Sequence, residues 1–548
     1  MNNVILNHLD LWTGAVTKKS SSGRGSNGKV ELTGVKKLRE LILELALSGR
    51  LVEPEPDEEP AQSLLAKIEA EKARLTAQGL IKKPKKLAEA GDSQPYSTTD
   101  KAEPKQVADN TWVLELEDIE KESSRLLNKV RYTERQFKSS KNRFERGDVL
   151  YGKLRPYLDK VLVADEPGVC TTEIIPIRGY LGLLPEFLRL ALKSPSFKLY
   201  ANDSTHGMNL PRLGTDKARL AMIPLAPEQE QHRIVQKVDE LMALCDRLEQ
   251  QTSDQLEAHE TLVDTLLGSL LRNAEGSLTQ SENATELADN WARLAAHFDT
   301  LFTTEQSIDK LKQTILQLAV MGRLVEQDEH EESADRLLTS LSASPVKTDE
   351  SPFSIPSNWR WTRLGSISRI NGGFAFKSSN YQKTGVRVVR ISDFDEYGFK
   401  NEAIVRHEYT EKLSGFQLAE NDILMAMTGG TVGKSYLVEE LPEPMVVNQR
   451  VATIKTPAPI YAKYIYFLLK SKTVREVIEN AKNSTNDNIS MKDIQSFLVP
   501  LPPAIEQHRI VQKVDELMAL CEQLKGRLNQ ASETRCHLAE AVVEGALN

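Results

Sequence analysis

The sequence predicts an α+β protein in which two α/β blocks are separated by two long antiparallel helices, closed by one chain into a circular arrangement with approximate two-fold symmetry. Three observations predict it. QHRIVQKVDELMAL at 231–244 recurs letter for letter at 507–520, each copy following a proline-bearing segment, PLAPEQE or PLPPAIE. LRELILELALSGRLV at 38–52 recurs in near-copy as LKQTILQLAVMGRLV at 311–325. The order is short helix, variable block, long helix, then the same three again. Internal repetition of this kind sets architecture before any local pattern does. The middle of the chain holds a complete long-then-short unit, whereas the other unit is split between the two ends of the chain. If both fold alike, the first short helix and the final long helix must meet, giving a pseudo-dimer made by one polypeptide.

The long helices carry a seam. In the first, Ile234, Val238, Leu241, Cys245 and Leu248 are spaced 4, 3, 4, 3, continuing through Thr252, Gln255, His259, Leu262 and Leu266. In the second it is Ile510, Val514, Leu517, Cys521 and Leu524, then Leu528, Ala531, Arg535, Leu538 and Val542. A sustained heptad signals a helix pair, and each helix is expected to take the other as partner. Roughly 40 residues at 1.5 Å per residue give about 60 Å.

Length allows three or four domains. An apolar content of 40% with 27% charged residues fits a soluble protein with true cores. The four cysteines, Cys170, Cys245, Cys521 and Cys536, form no CxxC, and two lie on the seam. That pattern implies a reduced, cytoplasmic chain with neither a disulfide framework nor a zinc site. No run of 18 apolar residues marks a membrane span, and MNNVILNHLDLWTG lacks a signal pattern. The net charge of −8 argues weakly against a polyanionic partner, but its distribution argues the other way. Residues 121–160 hold 12 Lys/Arg against 5 Asp/Glu, and 361–390 hold six basic residues and no acidic one. Acid is concentrated instead at 53–59 and 326–332, just after the short helices.

In chain order, the expected organisation is an N-terminal region at 1–76, with a Ser/Gly-rich basic stretch at 18–30, a short helix at 35–50 ended by Gly49 and a helix at 58–76. A Lys/Pro/Asp-rich linker at 77–107 follows. The first α/β block covers 108–224, with short strands and a proline-started helix at 185–200. The central helical region is 228–325, and an acidic linker spans 326–356. The second block covers 357–500, with its helix at 461–481, and the C-terminal long helix is 501–548. ERGDVLYGKLRPYLDKVLV (145–163) lies over AENDILMAMTGGTVGKSYLV (419–438), matching Asp148 with Asp422 and Lys160 with Lys434. Each reads as turn, strand, long tip, strand, so one scaffold carries two different tips.

Catalytic signatures are missing. GGTVGKS at 429–435 resembles a phosphate loop, but Thr428 stands where its first glycine belongs, so it reads as a glycine-rich hairpin tip with Lys434 available to a phosphate. No methyl-donor turn, no paired carboxylates of a metal-dependent nuclease and no metal-ligand cluster is visible, and His232 and His508 read as structural. The nucleic-acid candidates lie in the blocks. Arg143, Lys153, Arg155, Tyr157 and Lys160 belong to the first tip and its approach, Arg155 being suited to a bidentate guanine or a phosphate contact. The second block offers Lys377, Ser378, Asn380, Arg387 and Arg390, with Lys434 on its tip, and Gln449 and Arg450 as base-edge readers or strand caps. Asn209 and Arg212 in the first block, and Asn488 and Ser490 in the second, recur just before the proline-bearing exits. Packing and DNA contact are equally open for these.

The residues quoted carry a resemblance. HLDLWTG with SSGRGSNGKVELTGVKKLRELILELALSGRLV, the paired RIVQKVDELMALC helices, and PRLGTD with GDVLYGKLRPYLDKV resemble the specificity subunit (S, or HsdS) of type I restriction–modification systems, over essentially the whole chain. The resemblance implies a non-catalytic DNA-binding subunit whose two target recognition domains each read half of a bipartite site on double-stranded DNA, with the helices setting the spacing. It implies two methyltransferase (HsdM) and two restriction (HsdR) partners, which bring S-adenosylmethionine, ATP and Mg2+, and no membrane. One departure stands out: the second block opens with NWRWTRLG, and the first has no such copy before WVLELED. A helical-hairpin adaptor with two protein-binding modules and no DNA role is the alternative, separated by whether Arg155→Ala weakens salt-dependent DNA binding.

Overall fold

The structure is a computed structural model, and it describes residues 7–18, 30–79, 96–97, 100–206, 210–271, 289, 291–328, 330–347, 351–481 and 488–547. The chain forms two compact units, 1–255 with 531–548, and 256–530. Two helices of 44 residues, Glu228–Leu271 and Ala504–Leu547, each contribute to both.

The first unit is built on the short helix Thr33–Leu47, whose Val35, Leu38, Leu41, Ile42, Leu45 and Ala46 are all buried. The helix Leu9–Gly14 lays the fully buried Trp12 against it. The approach is so close that a Cβ on Gly34 would lie 2.3 Å from the Trp12 carbonyl oxygen. Ile234, Val238, Leu241 and Cys245 from the start of the first long helix join this core, as does Ala539 from the end of the second. Ser532 Oγ donates to the Val16 carbonyl at 2.7 Å. The beginning and end of the chain therefore meet, as the split repeat requires. The short helix stops at Gly49, left-handed at φ 70°, and the next residue, Arg50, donates to the carbonyl of Leu547 at 2.5 Å.

The second unit repeats the plan. The short helix Glu305–Val320 ends before Gly322, also at φ 70°. Arg323 then donates to the Leu270 carbonyl at 3.2 Å, closing the end of the first long helix as Arg50 closes the second. Val263, Leu267 and Leu270 share a core with Leu311, Ile315 and Leu318 of the short helix and with Ile510, Val511, Val514 and Cys521.

The two long helices share a core in each unit, and a short helix completes it. The strict heptad fails halfway. Gln255 and Leu262 are exposed, Leu262 by 50%, while Val263 and Leu267 are buried. In the second helix Arg535 and Leu538 are exposed and Ala539 is buried. After Thr252 and Leu528 a four-residue step to Leu256 and Ser532 replaces the expected three. A straight helix drifts about 20° per heptad from its seam, and a four-residue step restores the facing. The twelve seam residues before that step are buried or half-buried.

The identical QHRIVQKV segments are clamps. The wholly buried Gln231 accepts from the backbone N–H of Leu184 at 2.9 Å and donates to the carbonyls of Ala226 and Gly182. Gln507, equally buried, accepts from the N–H of Tyr461 at 2.8 Å and donates to Pro502. Each glutamine thus ties a long helix to the first helix of its α/β block. Arg233 pairs with Glu58 at 2.7 Å and Arg509 with Glu331 at 3.1 Å, so the acidic tracts serve their own chain. His232 and His508 are exposed, the latter stacked on Tyr461.

The single helix expected in each block is two. Pro185–Lys193 and Pro195–Asp203 break at Ser194, and Ala462–Lys470 and Lys472–Ala481 break at Ser471. Pro195 lacks an N–H and disfavours a helical Ser194. The second break has no proline, and there the buried Ser471 hydroxyl takes the Leu468 carbonyl. The acidic linker at 326–356 also contains a helix, Ala334–Ser340.

Gln231→Leu leaves buried backbone groups on Leu184, Gly182 and Ala226 unpaired. We expect it to lower the stability of the first unit by about 1–3 kcal/mol, measured by urea denaturation and by faster amide exchange at the start of the first long helix.

Candidate nucleic-acid interface

Both α/β blocks have the same frame. In the first, an antiparallel sheet runs in the order 96–97, 174–178, 149–152, 161–163. In the second, the order is 369–372, 451–455, 423–426, 435–437, again antiparallel throughout. A second sheet in each contains one parallel pair, Trp112–Leu114 with Gly168–Cys170, and Val386–Val389 with Met445–Val447. Strands at 96–97 and 101–102 fall in the stretch expected to be a linker. The opening strand Arg360–Arg363 of the second block pairs with its exit, Leu498–Leu501, and Trp359 Nε1 donates to the buried Glu506 at 2.8 Å. Among the described residues the first block has no such opening pair.

The matched aspartates explain the frame's turns. Asp148 is buried and takes both Arg178 nitrogens at 2.7 Å, while its carboxylate also accepts from Glu145 N–H. Asp422, buried likewise, accepts from Lys455 Nζ at 2.7 Å and from Ala419 N–H at 2.8 Å. The two preceding residues, Gly147 and Asn421, are both left-handed. These turns launch the strands Val149–Gly152 and Ile423–Ala426, which end in the tips.

The tips have one backbone and two chemistries. The first is a short 3-10 turn, Pro156–Leu158, flanked by Arg155 at φ 51° and Asp159 at φ 50°. The second is Gly429–Thr431, with Gly429 at φ 77° and Gly433 at φ 82° in the equivalent places. Glycine adopts this region freely, while other L-residues there are disfavoured by roughly 1–2 kcal/mol. In each block the segment before the exit comes to the tip. Leu154 bridges Arg212 with Leu213 N–H on the Lys153 carbonyl, and Thr428 bridges Asn488 with Ile489 N–H on the Met427 carbonyl. Tip and exit candidates, far apart in sequence, are therefore neighbours.

Several basic candidates are already occupied. Lys160 donates to the Leu116 carbonyl at 2.7 Å and Lys434 to the Ile391 carbonyl at 2.6 Å, where Lys434 also lies over the Phe394 ring. Burial holds both ammonium groups below the usual lysine range. Their match is thus one of scaffold, and the expectation that Lys434 is available to a phosphate is corrected. Arg387 is 2% exposed, held by Asn401, the Lys400 carbonyl and Glu443. Arg390 is forked onto Asp393 at 2.8 Å. Arg212 pairs with Glu173 at 3.1 Å, and Arg143 reaches the Gln106 carbonyl and Asp100. Much of the basic tract at 121–160 is spent the same way, on pairs such as Arg135–Asp118 and Lys141–Glu115.

What stays outward is narrower. Arg155 and Tyr157 are exposed on the first tip, Tyr157 by 53%, and Lys153 is half-buried beside them. Among the described residues none of these three side chains makes a hydrogen bond or ion pair. In the second block Lys377, Ser378, Asn380, Gln449, Arg450 and Asn488 are exposed. Gln449 and Arg450 form the turn leading into the strand Val451–Lys455. Asn209 lies outside the described residues. Among those described, no helix is long and apolar enough to cross a membrane and no three His, Cys, Asp or Glu converge as metal ligands.

The sequence reasoning missed Asp159 and Lys193, which sit behind the first tip. The signal was present in the alignment of tips, where Arg155 and Asp159 fall opposite Gly429 and Gly433.

Residues 356–533 match the family described as type I restriction modification DNA specificity domain. The type I restriction enzyme EcoAI specificity subunit of Escherichia coli is 36% identical over 593 residues, covering 100% of this chain and 99% of that one. The EcoEI specificity subunit of Escherichia coli is 34% identical over 606 residues, with the same coverage. A solved chain from a study titled as the structural basis of complex assembly and conformational transition of the type I R-M system shares the fold at a TM-score of 0.52 and 18% identity, covering 85% of this chain and 99% of that one.

Arg155→Gly removes a left-handed non-glycine residue whose side chain has no described internal partner. We expect the variant to be as stable as the parent or up to ~1 kcal/mol more stable, by thermal or urea unfolding. A clear loss of stability would show that the guanidinium serves the fold.

Proposed function

This chain belongs to the specificity subunits of type I restriction–modification systems, and on that basis we propose that each of its two α/β blocks reads one half of a split DNA site, the first through its tip and the second through exposed side chains around its own. It is the non-catalytic DNA-recognition subunit. Methyl transfer with S-adenosylmethionine, and cleavage with ATP and Mg2+, belong to the two methyltransferase and two restriction subunits we expect it to hold. One observation supports the reading above the others: two tips with the same backbone, in equivalent frames, present different side chains. A shared frame delivers the loop, and the exchanged residues carry specificity. Positioning contacts to phosphates and a few base-edge contacts suffice for such a reader. In the first half Lys153, Arg155 and Tyr157 supply them. In the second, Lys377, Gln449, Arg450 and Asn488 do. The long helices act as the spacer, at about 66 Å for 44 residues.

Two outcomes are expected. In the assembled methyltransferase complex, Arg155→Ala weakens binding by roughly 5- to 150-fold, corresponding to about 1–3 kcal/mol, and reduces discrimination in the first half-site only. Unchanged DNA binding would favour the adaptor reading. Shortening both long helices by whole turns alters the spacing between methylated half-sites and leaves each half-sequence as it was, read by methylome sequencing. An altered half-sequence counts against the spacer.

A further inference from the structure

Among the described residues seven non-glycines have left-handed φ, and four of them, Glu122, Ser124, Arg155 and Asp159, gather at the first tip. Three of the four are joined by one ammonium group. Lys193 Nζ donates to the Glu122 carbonyl at 2.7 Å, to Ser124 Oγ at 2.7 Å and to Asp159 Oδ2 at 3.2 Å, using all three of its N–H bonds. Lys198 adds a second cation on the same oxygen at 3.1 Å. Ser124 Oγ in turn donates to the Asp159 carbonyl at 2.6 Å and accepts from Val161 N–H at 3.0 Å. Glu122 N–H reaches the Leu158 carbonyl inside the turn itself. Asp159 is 6% exposed and Ser124 2%. Among the described residues the second unit's tip has no such network: Gly433 occupies the place of Asp159, and Lys470, which ends the first helix of its block as Lys193 ends that of the other, pairs with Glu396. A glycine tip needs no lock, whereas a tip carrying an arginine in a disfavoured conformation does.

We propose that Lys193 is a positioning residue for recognition of the first half-site: through Asp159 it holds the tip in its left-handed form and so sets the direction of the Arg155 guanidinium. The proposal rests on the reading that Arg155 contacts DNA. Lys193 is faced by Asp159 on the tip, Lys198 on the following helix and Arg189 on its own helix. Burial pushes its ammonium down to about 8. Above that value the neutral amine has two donors for three acceptors and no charge to offer Asp159, so the lock loosens. Stability moves the other way. The folded value lies below that of a free lysine, 10.5, so between the two the unfolded chain binds the extra proton and this group's contribution to stability rises with pH. A merely structural role would make recognition follow stability, whereas a positioning role makes the two diverge.

The test uses the complex of this chain with its methyltransferase subunits, and duplexes altered in one half-site at a time. Between pH 7 and 9 discrimination at the first half-site is expected to fall about tenfold, while that at the second stays level. Asp159→Asn, which retains a side chain tolerant of left-handed backbone, and Lys193→Met should give the same loss at pH 7 and no further pH dependence. First-half discrimination that is flat with pH and intact in a folded Asp159→Asn complex overturns the proposal. Arg155→Ala separates the two failures: if it alone impairs the first half, the lock is wrong and the reader stands. If neither variant does, the reader is wrong. If only Asp159→Asn does, the assignment to Arg155 is overturned.

Discussion

The first unit cannot close its core from its own contiguous sequence. Its short helix offers two faces of buried aliphatics, and the stretch from 1 to 255 does not supply all that covers them. Ala539, the Ser532 hydroxyl and the Leu547 carbonyl arrive from the far end of the chain. This dependence of one end on the other shapes everything else. It explains why a long helix is written twice, why each copy begins with the same buried glutamine, and why each short helix ends in glycine followed by arginine. Burying a glutamine amide is costly unless each polar atom is met. Here the partners are backbone groups at the start of a block helix, so the residue also fixes the angle at which the block leaves the long helix.

Repetition made most of this legible. The split repeat demands that the ends meet, and a constant offset of 274 pairs Asp148 with Asp422 and Lys160 with Lys434 in the sequence itself. The helical seam was readable as far as Thr252 and Leu528. It fails beyond them because a heptad template does not register a four-residue step, and in the polar stretch around Gln255 a single leucine, Leu256, is all that marks it. The block helices were seen as single because Ser471 gives no proline warning, though Pro195 does.

Positive charge draws attention to the tips and the segments beside them, but charge alone does not tell a free cation from a spent one. Arg387, Lys160 and Lys434 are each answered by a carboxylate or carbonyl contributed from a distant part of the block, Glu443, Leu116 and Ile391 respectively. Only the fold brings those acceptors close. Backbone conformation proved the better discriminator, since Arg155 stands where the sister block has glycine and has nothing inside the described protein to hold.

The pairing of glycine tip with arginine tip has an evolutionary consequence. A loop that begins as glycine at both flanking positions can accept a bulky contact residue only if something behind it already restrains the turn. A carboxylate and a cation placed first would satisfy each other behind the turn. An arginine placed first would leave a strained, wandering loop. On the reading proposed above, diversification of such loops has a preferred order of mutations, with the hidden support preceding the visible change of taste.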